Sequence, residues 1–293
     1  MNTTDQLTRI FCEIDDFCKE LKQYTQQKLL PGPVAKTERG PKCKLAMSEI
    51  MTILVMFHQI RFRDFKTFYT GYVQRLWKLE FPGLPTYERF VDLIKKSLFP
   101  MALFTHLKSG QRTGIYYIDS TCLPVCHLKR SKQHKVFDEI AEYGKTSVGW
   151  FFGLKLHLVT NDKGQLIAFK ITQGSRSDST QAESLLSQLE GLAFGDKGYI
   201  SQKLFNQLLT KGLKLITRKR KNMEALQINA YEQQLLNQRN LIETVIDHLK
   251  HHYQVWHTRH RSILNAMTHL VSALAAYALY PLSLSAIKLL TNC

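Results

Sequence analysis

The chain lacks the features that mark export, zinc packing or a membrane. Its six cysteines, Cys12, Cys18, Cys43, Cys122, Cys126 and Cys293, contain no Cys-x-x-Cys pair. That disfavours a zinc ribbon and fits the reduced thiols of a cytoplasmic protein. Cys122, Cys126, His127 and His134 lie near one another, but no second clean ligand pair accompanies them. On a strand, Cys122 and Cys126 share a face and read as small core residues. Met1 to Glu20 has no apolar run and carries five acids, so no signal peptide is expected. Internal repeats and low-complexity tracts are missing as well. From Ser262 to Ile287 there is no charge at all. Yet Ser262, Asn265, His269 and Ser272 recur at helical spacing as one polar stripe, and Pro281 ends the run. A packed or subunit-facing helix is expected there, not a bilayer span.

Acids are the scarce charge. Against 40 Lys and Arg stand 24 Asp and Glu, a net charge of +16, and the isoelectric point is near 9.6. A surplus that large favours a polyanionic partner, since Lys and Arg gain by releasing counterions condensed on nucleic acid. With 44% hydrophobic and 11% aromatic residues, the chain is globular. Its 293 residues are enough for two domains.

The first hundred residues read as helical. Leu7 to Leu29 is amphipathic, Pro31-Gly32-Pro33 opens a basic linker to Lys44, and Leu45 to Ile60 is a strongly apolar helix. Thr86 is placed to cap a helix with Tyr87, Phe90, Val91, Ile94 and Leu98 on one face. Between them, Arg61-Phe62-Arg63-Asp64-Phe65-Lys66-Thr67-Phe68-Tyr69 interleaves cations with aromatics. A segment tracking a DNA backbone and an amphipathic helix with a solvated basic face both satisfy that pattern.

From Thr113 the periodicity changes to strands. Gly114 to Val125, Trp150 to Asn161 and Gln165 to Thr172 are three, the last two joined by a tight Asp162-Lys163-Gly164 turn. A helix from Ser179 to Leu189, a short strand at Leu192 to Gly195, a helix from Ser201 to Gly212 and a fifth strand at Leu213 to Thr217 follow. Tyr231 to Tyr253 reads as one long helix. The order predicts a mixed five-stranded sheet flanked by helices. Ligands of such sheets gather beyond strand ends where the order switches.

Three of the acids form a candidate site, two of them, Asp119 and Asp196, on neighbouring strands near that switch. Asp119 follows the apolar Ile115-Tyr116-Tyr117-Ile118, Asp196 follows Leu192-Ala193-Phe194-Gly195, and Glu243 lies on the late helix. Gly195 and Gly198 beside Asp196 permit close backbone approach. Hard carboxylate oxygens suit Mg²⁺, and two metals about 3.5–4 Å apart can activate an attacking oxygen and stabilise a leaving one. Such clustered acids should raise one another's pKa without metal.

Tyr117-Ile118-Asp119-Ser120-Thr121, Gly195-Asp196-Lys197-Gly198-Tyr199 and Arg239-x-x-x-Glu243-x-x-x-x-x-x-Lys250 resemble the DDE transposases of bacterial insertion sequences. The likeness covers Thr113 to Arg261 well and the helical amino-terminal part more loosely. It implies the RNase H-like fold, with Asp119, Asp196 and Glu243 as ligands of two Mg²⁺ ions, for which Mn²⁺ can substitute. It also implies double-stranded DNA as partner, both transposon ends and target, and a location in the bacterial cytoplasm at the nucleoid. Because Asp196 and Glu243 are only 47 apart, a large insertion domain has no room. The signature tyrosine falls at Leu236, which has no phenol.

On a helix, offsets of −4, 0 and +7 from Glu243 fall within roughly 60°, so Arg239, Glu243 and Lys250 share a face and the two cations can hold phosphates. An Arg239–Glu243 ion pair alone would be worth only a few tenths of a kcal/mol on a wet surface. Further basic groups extend from the same elements: Lys129, Arg130, Lys132 and Lys135; Arg218, Lys219, Arg220 and Lys221; and His248, His251, His252, His257, Arg259, His260 and Arg261. The resulting division is a helical domain over 1–110 for DNA binding, a catalytic domain over 111–261 and a packing helix over 262–293. Cleavage at transposon ends followed by strand transfer is the expected activity. An RNase H-like nuclease without strand transfer and a catalytically silent DNA-binding derivative are the alternatives. Joining two ends calls for a homodimer or a higher synaptic assembly, and no membrane is involved.

Overall fold

In the computed structural model, residues 2–28, 44–218, 228–256 and 260–283 are described. The Pro31–Pro33 linker, Lys219, Arg220, Lys221, His257 and Arg259 lie outside them. Two compact units form. One comprises residues up to 107 together with 264–276, and the other 108–263 with those from 277 onward.

The first unit is helical. Helix α1 (Thr3–Lys28) buries Leu7, Ile10, Ile14 and Phe17 at three- and four-residue spacing, the stripe that an amphipathic helix turns to a core. Helix α2 (Met47–Ile60) is apolar all round and accordingly central, with Ile50, Met51, Ile53, Val55 and Met56 all buried. Thr86 caps α3 (Tyr87–Ile94) by accepting from the Arg89 amide, and α4 (Leu98–Leu107) follows. The interleaved segment divides by chemistry. Phe68 and Tyr69 are buried in an aromatic cluster with Phe57, Phe65 and Phe90, while Arg61, Arg63 and Lys66 face solvent.

Within the uncharged stretch, residues Ile263–Leu279 form a helix, which contributes Leu264 to Ala276 to this unit. Its polar stripe is used inside: Ser272 Oγ lies 3.0 Å from His58 Nε2, and Asn265 donates to the Val91 carbonyl at 3.2 Å. No helix among the described residues is long and apolar enough to cross a membrane.

The second unit is built on a mixed sheet of β1 (Ile115–Cys126), β2 (Glu142–Lys145), β3 (Trp150–Asn161), β4 (Leu166–Gln173), β5 (Gly191–Gly195) and β6 (Leu213–Thr217). The strand order is β2-β3-β1-β5-β6, with β4 also pairing β3. The first three long strands are antiparallel, while β1, β5 and β6 run parallel. The expected five strands are all present and a sixth is added. β2 pairs with Trp150 to Gly153 of β3, beyond the reach of β4. Its sequence, Glu-Tyr-Gly-Lys, has no apolar alternation to announce a strand.

One face of the sheet, with Tyr116, Ile118, Val159, Ala193, Leu213 and Leu215, is covered by α5 (Asp178–Leu186) and α6 (Gln202–Leu209) through Ala182, Leu185, Leu186, Leu204 and Leu208. The opposite face presents Tyr117 and Phe194, whose rings meet at 5.7 Å. There the expected single long helix is two: α7 (Ala230–Asn237) and α8 (Asn240–His251). The break falls at Gln238 and Arg239, where no glycine or proline signals it. Tyr117 Oη donates to the Leu235 carbonyl in the last turn of α7, tying that helix end to β1.

Candidate active site

Asp119 is the fifth residue of a twelve-residue strand, and what ends beside it is β5. The parallel register pairs Ile115 with Leu192, Tyr116 with Ala193 and Tyr117 with Phe194. Asp196 is the next residue past the end of β5, and its charge stands near enough to push up the Asp119 carboxyl. Gly195 makes the turn possible: a Cβ there would meet the Tyr199 ring at 3.0 Å and Ile118 at 3.2 Å.

Glu243 joins from the first turn of α8. Arg239, the residue before that helix, donates from Nη1 to Asp119 Oδ2 at 3.3 Å and from Nη2 to Glu243 Oε1. Its side chain is only 8% exposed, against 21% for Asp119 and 48% for Glu243. The helix break thus brings the guanidinium onto the strand, where it links two carboxylates from distant parts of the chain. This is no wet i, i+4 pair.

Burial is the largest influence on Asp119 and pushes its carboxyl from 3.8 up to about 6. The Ser120 amide, donating to Oδ1 at 2.8 Å, and the Arg239 charge pull down, while Glu243 and Asp196 push up. The mutual repulsion expected of clustered acids is present, but desolvation outweighs it.

The three carboxylates offer only hard oxygen donors, the chemistry that Mg²⁺ and Mn²⁺ take. As they stand, Asp119 and Glu243 are gathered about a guanidinium, and no three acidic, His or Cys side chains among the described residues close on one point. The donor set fits a hard dication; the charge it would bring is now partly supplied by Arg239.

The remaining sequence-selected residues occupy α8 and the segments that follow β1 and β6. Lys250 is held at 3.8 Å from Asp247 Oδ1 and 4.8 Å above the Trp256 ring. Trp256 in turn donates to the Cys122 carbonyl on β1. Lys129 and Arg130 are exposed on a short turn just past the end of β1, and Arg218 is exposed just past β6.

Sequence reasoning missed Asp178, Lys155 and His157. Asp178, at the start of α5, accepts from Ser120 Oγ at 2.8 Å and from Lys155 Nζ at 3.2 Å, with His157 Nδ1 at 3.7 Å. In the sequence, Lys155 and His157 alternate with Leu154, Leu156 and Leu158, which is the signal available for them. Helix α5 then covers that face and encloses them.

His157 gives a pH-dependent outcome. Burial, its largest cause, pushes the imidazole from 6.5 down to about 4, against the pull of Asp178 and with help from Lys155 and Lys170. The unfolded chain therefore binds more protons between those values. The stability this group contributes is complete above pH 6.5 and is lost as pH falls through about 4. Asp119 acts oppositely: its native carboxyl keeps a proton that the unfolded chain releases, so its contribution falls as pH rises between about 4 and 6. Comparing His157→Gln with wild type separates the two. The variant should lose less stability on acidification, by at most about 3 kcal/mol at the acid end. Parallel melting curves at all pH values would show that His157 carries no such load.

Residues 109–263, just over half of the chain, match the family described as transposase DDE domain. Among curated proteins and solved structures the chain has no match.

Proposed function

The chain belongs to the transposase DDE-domain family, and from that premise we propose that it cleaves DNA at the ends of its own mobile element and joins the freed ends to target DNA. The observation that carries this reading is that Asp119 lies on β1 beside the end of β5, which Asp196 directly follows, with Glu243 tied to Asp119 through one guanidinium. In the proposal, Asp119, Asp196 and Glu243 hold two Mg²⁺ ions. Bound there, divalent metal would activate the attacking oxygen and stabilise the leaving one in an in-line displacement.

The chain's own groups do the rest. Asp119 arrives partly desolvated, which strengthens its grip on a cation once its own proton has left. Arg239 keeps two like charges together while no cation is bound. Exposed cations past the ends of β1 and β6 (Lys129, Arg130 and Arg218, with Lys219, Arg220 and Lys221 following in sequence) hold the DNA backbone, and Lys250 does so from α8. No side chain serves as a covalent nucleophile. A homodimer or larger synaptic assembly holds two DNA ends, and the helical amino-terminal unit adds to DNA binding.

Supplying DNA whose transferred strand already ends in a free 3′-hydroxyl tests this. Products joined to target DNA support transposition. Hydrolysis of uncleaved ends without joining points to a nuclease, and binding without either reaction to a silent derivative.

Neutralising Arg218, Lys219, Arg220 and Lys221 together should weaken binding to all DNA sequences about equally. Each lost phosphate contact removes about 0.9 from the slope of log affinity against log salt, because contacts to phosphate carry charge but little sequence information. An unchanged slope with selective loss of end binding would instead make the segment a base reader.

A further inference from the structure

Asp119 and Ser120 point to opposite sides of β1, as neighbours on a strand must. Asp119 faces α8 and Arg239, and Ser120 faces α5. Behind the proposed metal site, on the α5 side, the Asp178 carboxylate bonds the segment of Asp119 and lies beside the turn after Asp196. Asp178 Oδ1 accepts from Ser120 Oγ at 2.8 Å. Asp178 Oδ2 lies 3.5 Å from where a Cβ on Gly198 would stand, against the turn that follows Asp196.

The carboxylate is itself fixed from β3. Lys155 Nζ donates to Asp178 Oδ1 at 3.2 Å and to the Arg176 carbonyl at 3.0 Å, so it ties down both the acid and the loop leading to it. The Lys155 side chain is 12% exposed and that of Asp178 26%. His157, paired with Ser120 in the strand register, stands 3.7 Å away and is itself held by Thr172. An acid in the first turn of a helix is ordinary for the helix dipole alone. That explanation accounts for neither Ser120 nor Lys155, which come from two different strands.

We propose that Asp178 is a positioning residue: by holding Ser120 and buttressing the Gly198 turn, it sets Asp119 and Asp196 at the spacing that the reaction needs. This rests on the function proposed above. Reacting groups displaced by about 1 Å can lose on the order of 100-fold in rate. The hydroxyl of Ser120 is the side-chain link between Asp178 and the strand that carries Asp119, so removing either end should have the same consequence.

The test compares Asp178→Ala, Ser120→Ala and their double variant with Asp178→Asn and with Leu186→Ala in the full chain. Leu186 is buried where the same helix packs on the same sheet, so its truncation reports simple loosening. For end cleavage, Asp178→Ala and Ser120→Ala should each lower kcat by about 10- to 100-fold with KM for DNA within about threefold. The double variant should fall no further than the worse single one. Asp178→Asn, which keeps an acceptor oxygen, should recover most of the rate. Leu186→Ala should lower the melting temperature but hold kcat. Hydrogen exchange of residues 117–122 in metal-free protein gives a readout that needs no activity. It should quicken in Asp178→Ala and Ser120→Ala and stay slow in Leu186→Ala.

Unchanged kcat in Ser120→Ala, additive losses, or equal exchange in all variants would overturn the positioning role. A wild-type protein that never cleaves DNA would defeat the proposed function instead, and the exchange result would still decide whether Asp178 orders the Asp119 segment.

Discussion

Asparagine at Asp119 or at Asp196 should lower DNA cleavage at least about 100-fold, a barrier increase of about 2.7 kcal/mol, and leave DNA binding nearly intact. Each substitution keeps the side-chain shape and removes one negative charge from a site built on three. At Asp119 the loss is compounded by surroundings: the side chain is 21% exposed, and little water can take over its role. In Asp119→Asn the amide oxygen can still accept from the Ser120 backbone N–H, while the amide NH2 cannot accept from Arg239 as Oδ2 does, so a small loss of melting temperature is expected and is measured beside activity. Cleavage by either variant above a hundredth of the wild-type rate, measured beside equal DNA affinity, would remove that residue from the proposed ligand set.

The second large effect separates Glu243 from Asp247, one helical turn apart on α8. Glu243 meets the guanidinium that also holds Asp119. Asp247 is two-thirds exposed and its neighbour is Lys250, 3.8 Å away. Glu243→Gln should eliminate both hydrolysis and strand transfer, whereas Asp247→Asn should keep most of each. Glutamine can still accept from Arg239, so loss of activity in that variant reports the missing charge more than a disturbed helix. Assays of the two variants on uncleaved and pre-cleaved ends give the answer. A dead Asp247→Asn with an active Glu243→Gln would move the third ligand by one turn.

Much of the architecture behind these expectations is legible in the sequence, because it follows from local patterns. Alternation along Trp150 to Asn161 and the Asp162-Lys163-Gly164 turn specify a hairpin, and Gly164 indeed takes a positive φ of 75°. Short apolar runs ended by Asp119 and Asp196 place two acids near a switch in strand order. What escapes the sequence depends on tertiary contact. The break before α8 has no local breaker and falls where the end of α7 and Arg239 meet β1. Strand β2 pairs with the first residues of β3, an edge that β4 does not reach. Asp178 looks like any acid at a helix start until folding brings Ser120 and Lys155 to it. Arg239 was legible as a partner of Glu243, four residues away, but its second bond, to Asp119, spans 120 residues.

The most direct measurement uses purified protein and DNA carrying the sequences that flank its own coding region, with cleavage and joining followed together in Mg²⁺ and in excess chelator. Specific 3′-end cleavage and joined products are expected in Mg²⁺, neither in chelator, and neither from the Asp119→Asn protein. Full turnover in chelator, or undiminished joining by Asp119→Asn, would contradict the proposed chemistry.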